Sequence, residues 1–227
     1  EISEKEMFEI SKQGLTQIIS LLDKYKIKAT FFTTASFAKR FPTLLKKISQ
    51  KHEIACHGYE HSDSYIKDIS KIQRAKSEIE KIIGKQIKGF RAPRFEISDI
   101  SLLSGLGFSY DSSINPTFIP GRYMNLLKNR KIHKIGEIIE VPLSALPIIR
   151  FPLFWLTFKK FPLNSAKLFT KLNFLSSSYT MHVFHLWEFA DLSEFKIPTY
   201  IKKPHSTQLL NKLESYITFC KKQGYVF

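Results

Sequence analysis

The sequence predicts an α/β fold of parallel βα units wound as a barrel. Two observations carry that expectation. Short apolar runs of strand length alternate with amphipathic runs of helix length along the 227 residues. Polar clusters then fall where those strands end, which is where barrels of this kind place their chemistry. The chain is long enough for one domain with a large core, and no repeat or low-complexity linker divides it.

The elements follow in order. FEISKQGLTQIISLLDKYK (8–26) sets Leu15, Ile18, Ile19 and Leu22 at helical spacing, and KATFFTT (28–34) is a short β-type run. FAKRFPTLLKKISQ (37–50) turns helical after Pro42, and HEIACHG (52–58) is strand-like. DISKIQRAKSEIEKIIG (68–84) puts Ile72, Ala75, Ile79, Ile82 and Ile83 on one side and stops at Gly84. IKGFRAP (87–93) is a strand running into a loop, and SDISLLSGLG (98–107) is a short helix with a Ser cap and a Gly stop. FSYDSS (108–113), EIIEVPLS (137–144) and YTMHVFHLW (179–187) are expected strands. STQLLNKLESYITFCKKQG (206–224) is the last helix, and YVF (225–227) begins a final strand. The stretch 141–175, rich in Pro, Phe, Leu and Trp, suits a cap over a site, a membrane-facing surface or a subunit face.

Composition narrows the classes. Hydrophobic residues at 43% and charged residues at 24% are those of a globular protein. The net charge of +15 comes almost wholly from lysines spread along the chain, with no nucleic-acid motif. Nucleic acid is therefore not an expected partner, whereas a membrane or an anionic envelope surface suits the charge. Cys56 and Cys220 make no disulfide framework and fit a reducing compartment. No apolar run is clean enough to span a bilayer, since VPLSALPIIRFPLFWLTF (141–158) is broken by Pro142, Pro147, Arg150 and Pro152. A cytoplasmic location is slightly favoured, with the cell envelope as the other expectation.

HGYEHSD (57–63) poses the chemical question. On a continuing strand His57 and His61 would stand about 13 Å apart, too far for one metal ion. On a helical turn they would be neighbours. Chelation thus requires the strand to stop at His57, and Gly58 permits the bend. Glu60 and Asp63 are the nearby carboxylates for a third ligand, and Glu60 points off the chelating face of a helical turn. Cys56, one residue from His57, should point the other way, into the core.

Taken together, the clusters resemble the polysaccharide deacetylase family, the NodB homology domain. KYKIKATFF (24–32) followed by HEIACHGYEH (52–61) is similar to the family's second motif and its approach. GFRAPRF (89–95) resembles the third, YDSSINP (110–116) the fourth and HVFHLWEF (182–189) the fifth, in the style of the HPWE subgroup. The resemblance implies a distorted (β/α)7-type barrel, here lacking its first strand, across a single domain spanning 1–227. It implies hydrolysis of an N-acetyl group from an amino sugar in a poly- or oligosaccharide, releasing acetate, with Zn2+ or another divalent metal. The family's first motif, a Thr-Phe-Asp-Asp type strand end supplying base and metal-binding Asp, is not matched by EISEKEM before the 8–26 helix. An N-terminally incomplete domain is the expectation. Arg94 stands where many members carry an aromatic residue, and Leu186 replaces the Pro of HPWE.

By this resemblance His57 and His61 are metal ligands and His185 is the general acid. Arg91 pairs with the catalytic Asp and lowers its pKa, and the backbone N–H of Arg94 faces the oxyanion. Phe95 and Trp187 bind substrate, although Trp187 is equally suited to the core. Asp111 either orients His185 or caps a turn before Ser112 and Ser113. The chemistry is metal-assisted amide hydrolysis: a water activated toward pKa about 7, a carboxylate base, and an acid for the leaving amine. Two other readings stand beside it. One is hydrolysis of a small cyclic amide or imide on the same fold; the other is an inactive carbohydrate-binding homologue.

Overall fold

The computed structural model describes residues 2–61 and 68–227. It comprises two compact units, Lys28–Leu143 and a second built from the chain up to Ile27 with Ser144–Phe227.

The first unit holds the sheet. Strands β1 (Thr30–Thr33), β2 (Glu53–Cys56), β3 (Gly89–Phe90) and β4 (Tyr110–Asp111) run parallel, separated by helices α2 (Ala35–Arg40), α3 (Pro42–Ile48) and α4 (Ile69–Ile83) and by short 3-10 turns. Strands β5 (Phe118–Ile119) and β6 (Tyr123–Met124) form a separate small hairpin. Strands β7 (His133–Ile135) and β8 (Ile138–Glu140) form a second hairpin across Gly136, with β8 parallel to β4. The six-stranded order is β1-β2-β3-β4-β8-β7, with β1 and β7 as its edges. The α/β class and the mainly parallel sheet match expectation.

Local signals explain the helices. Thr34 caps α2 by accepting from the Phe37 N–H, and Pro42 opens α3 where its missing donor costs nothing. Asp68 caps α4, which buries Ile72, Ala75, Ile79 and Ile83 and ends at Gly84 in the left-handed region. The expected helix at 98–107 is a 3-10 helix over Ile100–Leu106, and its cap is Asp99 rather than Ser98.

In the second unit α1 (Glu4–Tyr25) starts in a Ser3/Glu6 capping box and buries Ile10, Gly14, Leu15, Ile18, Leu21 and Leu22. With it stand α5 (Trp155–Lys160), α6 (Leu163–Ser177), a 3-10 turn at Leu186–Phe189, α7 (Thr199–Lys202) and α8 (Ser206–Lys222). Two expected strands do not form. Residues 179–185 are irregular, because side chains meet their backbone groups: Asn173 donates to the Tyr179 carbonyl at 2.7 Å, and the Met181 N–H donates to Ser144 Oγ at 2.8 Å. The last residues, 225–227, are also irregular.

Candidate active site

The ladder register sets one level across the sheet. Cys56 pairs Phe90, Phe90 pairs Asp111, and Asp111 pairs Glu140. The residues at or just past that level are therefore His57, Arg91, Asp111, Ser112, Ser113 and Glu140, delivered by the C-terminal ends of four strands, β2, β3, β4 and β8, or the turns after them.

His57 is the first residue beyond β2, and its N–H still donates to the Thr33 carbonyl at 2.8 Å. Gly58 then turns with φ 77, a conformation that favours glycine. The Gly58 and Tyr59 carbonyls accept from the Ala35 and Ser36 N–H groups at 3.0 and 2.8 Å, which fixes the turn onto the start of α2. The result brings the His57 and His61 rings to 5.3 Å between centroids, as the bend at Gly58 required. His57 Nδ1 lies 2.7 Å from the Arg91 carbonyl oxygen, and donation there puts the lone pair on Nε2, the tautomer a metal ligand uses. Two neutral imidazoles so placed fit a Zn2+-type ion. Among the described residues no cluster of three His, Cys, Asp or Glu joins such a site. Asp63 lies outside the described residues. Cys56 is buried as expected, and burial pushes its thiol up to about 12.

Arg91 is buried rather than on a surface. Its Nε donates to the Ser112 carbonyl at 2.9 Å and its Nη2 to Ser112 Oγ at 2.7 Å, with the guanidinium 4.0 Å from the centre of the Phe32 ring. Burial lowers its pKa to about 10, while Asp111, Tyr110 and Glu140 act in the other direction. Asp111 is fully buried and accepts from the Ser113 N–H at 2.9 Å and Ser113 Oγ at 2.7 Å, so it caps the turn. Ser113 Oγ in turn accepts from the Ala92 N–H at 2.8 Å. The chain beyond Ala92 carries two consecutive residues in the left-handed region, Arg94 at φ 55 and Phe95 at φ 64. Such residues cost about 1–3 kcal/mol each and persist where the surroundings hold them, often at functional sites. Arg94 is exposed and Phe95 half-buried, its ring 6.0 Å from the Arg91 guanidinium.

Sequence reasoning missed Glu140. It is fully buried, and its Oε1 accepts from the Ile114 N–H at 2.9 Å. Its carboxyl also hydrogen-bonds the adjacent Asp111 carboxyl, so the pair can share a proton. Burial first, then the Asp111 carboxyl, push Glu140 up to about 9, and burial also raises Asp111. Burial and Asp111 thus favour the neutral form of Glu140, opposite Arg91.

In the second unit His185 is 44% exposed at its side chain and stands at the start of the 3-10 turn, not on a strand. The carboxylate on its ring is Glu188, whose Oε1 accepts from the His185 N–H at 2.6 Å and lies 3.2 Å from Nδ1. Asp111 is accounted for instead by Ser113 and Glu140. Glu188 is buried, and burial raises its pKa against the pull of His185 and Lys159. Trp187 stacks on His185 at 5.3 Å and 15°, and Trp155 meets both rings edge-on. The His-x-x-Glu spacing is a capping-box signal that would have found Glu188. No motif marks Trp155.

Solved structures share this fold. A CE4 family pseudoenzyme from Bacillus anthracis superposes with TM-score 0.55 at 16% identity, covering 93% of this chain and 57% of that one. A polysaccharide deacetylase from Bacillus cereus gives 0.52 at 16% identity, with 95% and 84% covered. Residues 7–110 match the family model for polysaccharide deacetylase. The peptidoglycan deacetylase of Helicobacter pylori is 30% identical over 108 residues, which cover 44% of this chain. The match spans 37% of the length of that relative.

Proposed function

We propose that the protein hydrolyses the N-acetyl group of an amino sugar within a poly- or oligosaccharide, using a divalent metal, Zn2+ by preference. One observation carries this: two histidine rings 5.3 Å apart at the end of β2, one of them locked by the Arg91 carbonyl in the ligating tautomer. His57 and His61 would hold the ion, which when bound supplies Lewis-acid polarisation and an acidified water. Arg91 positions the turn that follows it through Ser112, and the strained turn at Arg94 and Phe95 presents backbone to the substrate carbonyl. Within its own unit His185, with Glu188 on its ring, suits the role of a general acid for a leaving amine, and Trp187 offers a flat face to a sugar. The family match over 7–110 and the peptidoglycan deacetylase relative support this substrate class.

A second reading, a saccharide-binding homologue without turnover, is favoured by one observation. A solved structure that shares this fold is a CE4 family pseudoenzyme from Bacillus anthracis. Acetate release from N-acetylglucosamine oligomers, with and without added Zn2+, separates the two. Zinc-dependent release is expected. Oligomer binding without release would establish the second reading, and neither binding nor release would remove the saccharide from the account.

A further inference from the structure

Helix α6 is built inside out. Its buried stripe is Ala166, Thr170 and Asn173, at i, i+4 and i+7. Its opposite stripe is Leu168, Leu172 and Leu175, at the same spacing, and these leucines are 53%, 41% and 84% exposed. The inward face is satisfied, since Thr170 Oγ1 lies 2.5 Å from Tyr216 OH on α8 and Asn173 is bonded to Tyr179. The rotation of this helix is therefore set by good polar partners, and the leucines face outward as a consequence.

The same unit adds to the patch. The turn at 147–150 holds Ile148 and Arg150 at φ 64 and 55, costly for a β-branched residue, and leaves Ile148 90% and Ile149 63% exposed. Phe151 packs on Phe161 and Phe169 at 5.5 and 5.9 Å, which joins that turn to the start of α6. Phe161, itself 41% exposed, extends the apolar surface between them. Isolated exposed leucines need no explanation, but this many large apolar side chains left in water by one unit do.

Charge selects the occupant. From Val141 to Trp187 the chain contains no Asp or Glu, and it carries Arg150, Lys159, Lys160, Lys167 and Lys171. Lys159 is buried with Nζ on the Ile201 carbonyl; Lys160, exposed, donates to the Lys203 carbonyl at 3.0 Å, and half-buried Lys167 and exposed Lys171 reach over the Phe219 ring of α8 at 5.3 and 5.6 Å. A second copy of the chain would satisfy the leucines while bringing these cations face to face with no acid in the segment to pair them. A free polyanion would satisfy the cations and leave the leucines in water. An anionic bilayer surface meets both demands, with acyl chains for the apolar stripe and headgroups for the lysines at its border.

We infer that the outward leucine stripe of α6, with the 147–150 turn, seats the protein on an anionic membrane surface, lying in the interface rather than crossing it. No described helix is long and apolar enough to cross a membrane. The test is co-sedimentation of the whole chain with phosphatidylglycerol–phosphatidylcholine vesicles against pure phosphatidylcholine vesicles. Binding to the anionic vesicles only, weakened by salt, is expected. L168Q/L172Q/L175Q, at exposed positions and checked for fold by circular dichroism, should lose at least about tenfold in binding. K160Q/K167Q/K171Q should lose a similar or larger factor, on the order of tenfold to a hundredfold. Absence of binding by the wild-type chain, or unchanged binding by the leucine variant, would overturn the inference. A dimer in sedimentation that the leucine variant abolishes would assign the face to a second copy and overturn it equally.

Discussion

Two buried carboxyls and one buried guanidinium cannot all be charged without leaving a net charge in the interior. Asp111, Glu140 and Arg91 resolve this by keeping Glu140 protonated, its pKa raised to about 9 by burial and by Asp111. The sign of the linkage follows. A carboxyl whose folded pKa lies above its unfolded value binds its proton more tightly in the folded state, so stability falls as pH rises between the two. His182, buried and lowered to about 4, works the other way below about pH 6.5. Between about pH 6.5 and 9 the Glu140 effect should stand alone of the two. Urea unfolding across that range should show declining stability in the wild-type chain and a flatter profile for Glu140→Gln, which keeps the shape without the titration. An unchanged slope in the variant would mean that Glu140 is already ionised. None of this was legible in EIIEVPLS, because an acidic residue in a short strand carries no sign of burial; only the register with Asp111 reveals it. The approach of the His57 and His61 rings was legible, because Gly58 between them marks a bend.

At the scale of elements, the turn carrying His185 rests on α1. A Cβ built on Gly14 would come within 1.8 Å of the Leu186 carbonyl oxygen, so this helix approaches the turn as closely as it does only because the residue is glycine. Gly14→Ala should destabilise the chain by about 1–3 kcal/mol through overpacking against backbone that cannot yield cheaply. Gly105→Ala, where a Cβ would meet nothing within 4 Å, is the control and should be close to neutral. Thermal denaturation of the two variants checks the difference, and equal melting temperatures would mean that α1 shifts without penalty. Helical periodicity placed α1, α4 and α8 well, since each buries one continuous apolar stripe. The strand expected at 179–187 failed because its apolar alternation was real but its hydrogen bonds went to Asn173 and Ser144 rather than to a neighbour. Helix α6 went unread for a related reason: a stripe of Ala, Thr and Asn facing inward inverts the pattern on which helix recognition relies.

For the whole molecule, alternation of strand and helix conveyed the α/β class and the parallel order from β1 to β4. It could not convey the hairpin of β7 and β8, whose strands of three residues each are too short to alternate visibly. The motifs read along the chain sort by unit: His57, His61, Arg91, Arg94, Phe95 and Asp111 belong to Lys28–Leu143, and His185 and Trp187 to the other. The central claim rests on the first of these groups. Isothermal titration of the chain with Zn2+, repeated on His57→Ala and on His61→Ala, tests it most directly. One zinc per chain, lost in each variant while circular dichroism stays unchanged, is the predicted result. Wild-type affinity for zinc in either variant would show that the histidine pair does not hold the metal, and the proposed chemistry would fall with it.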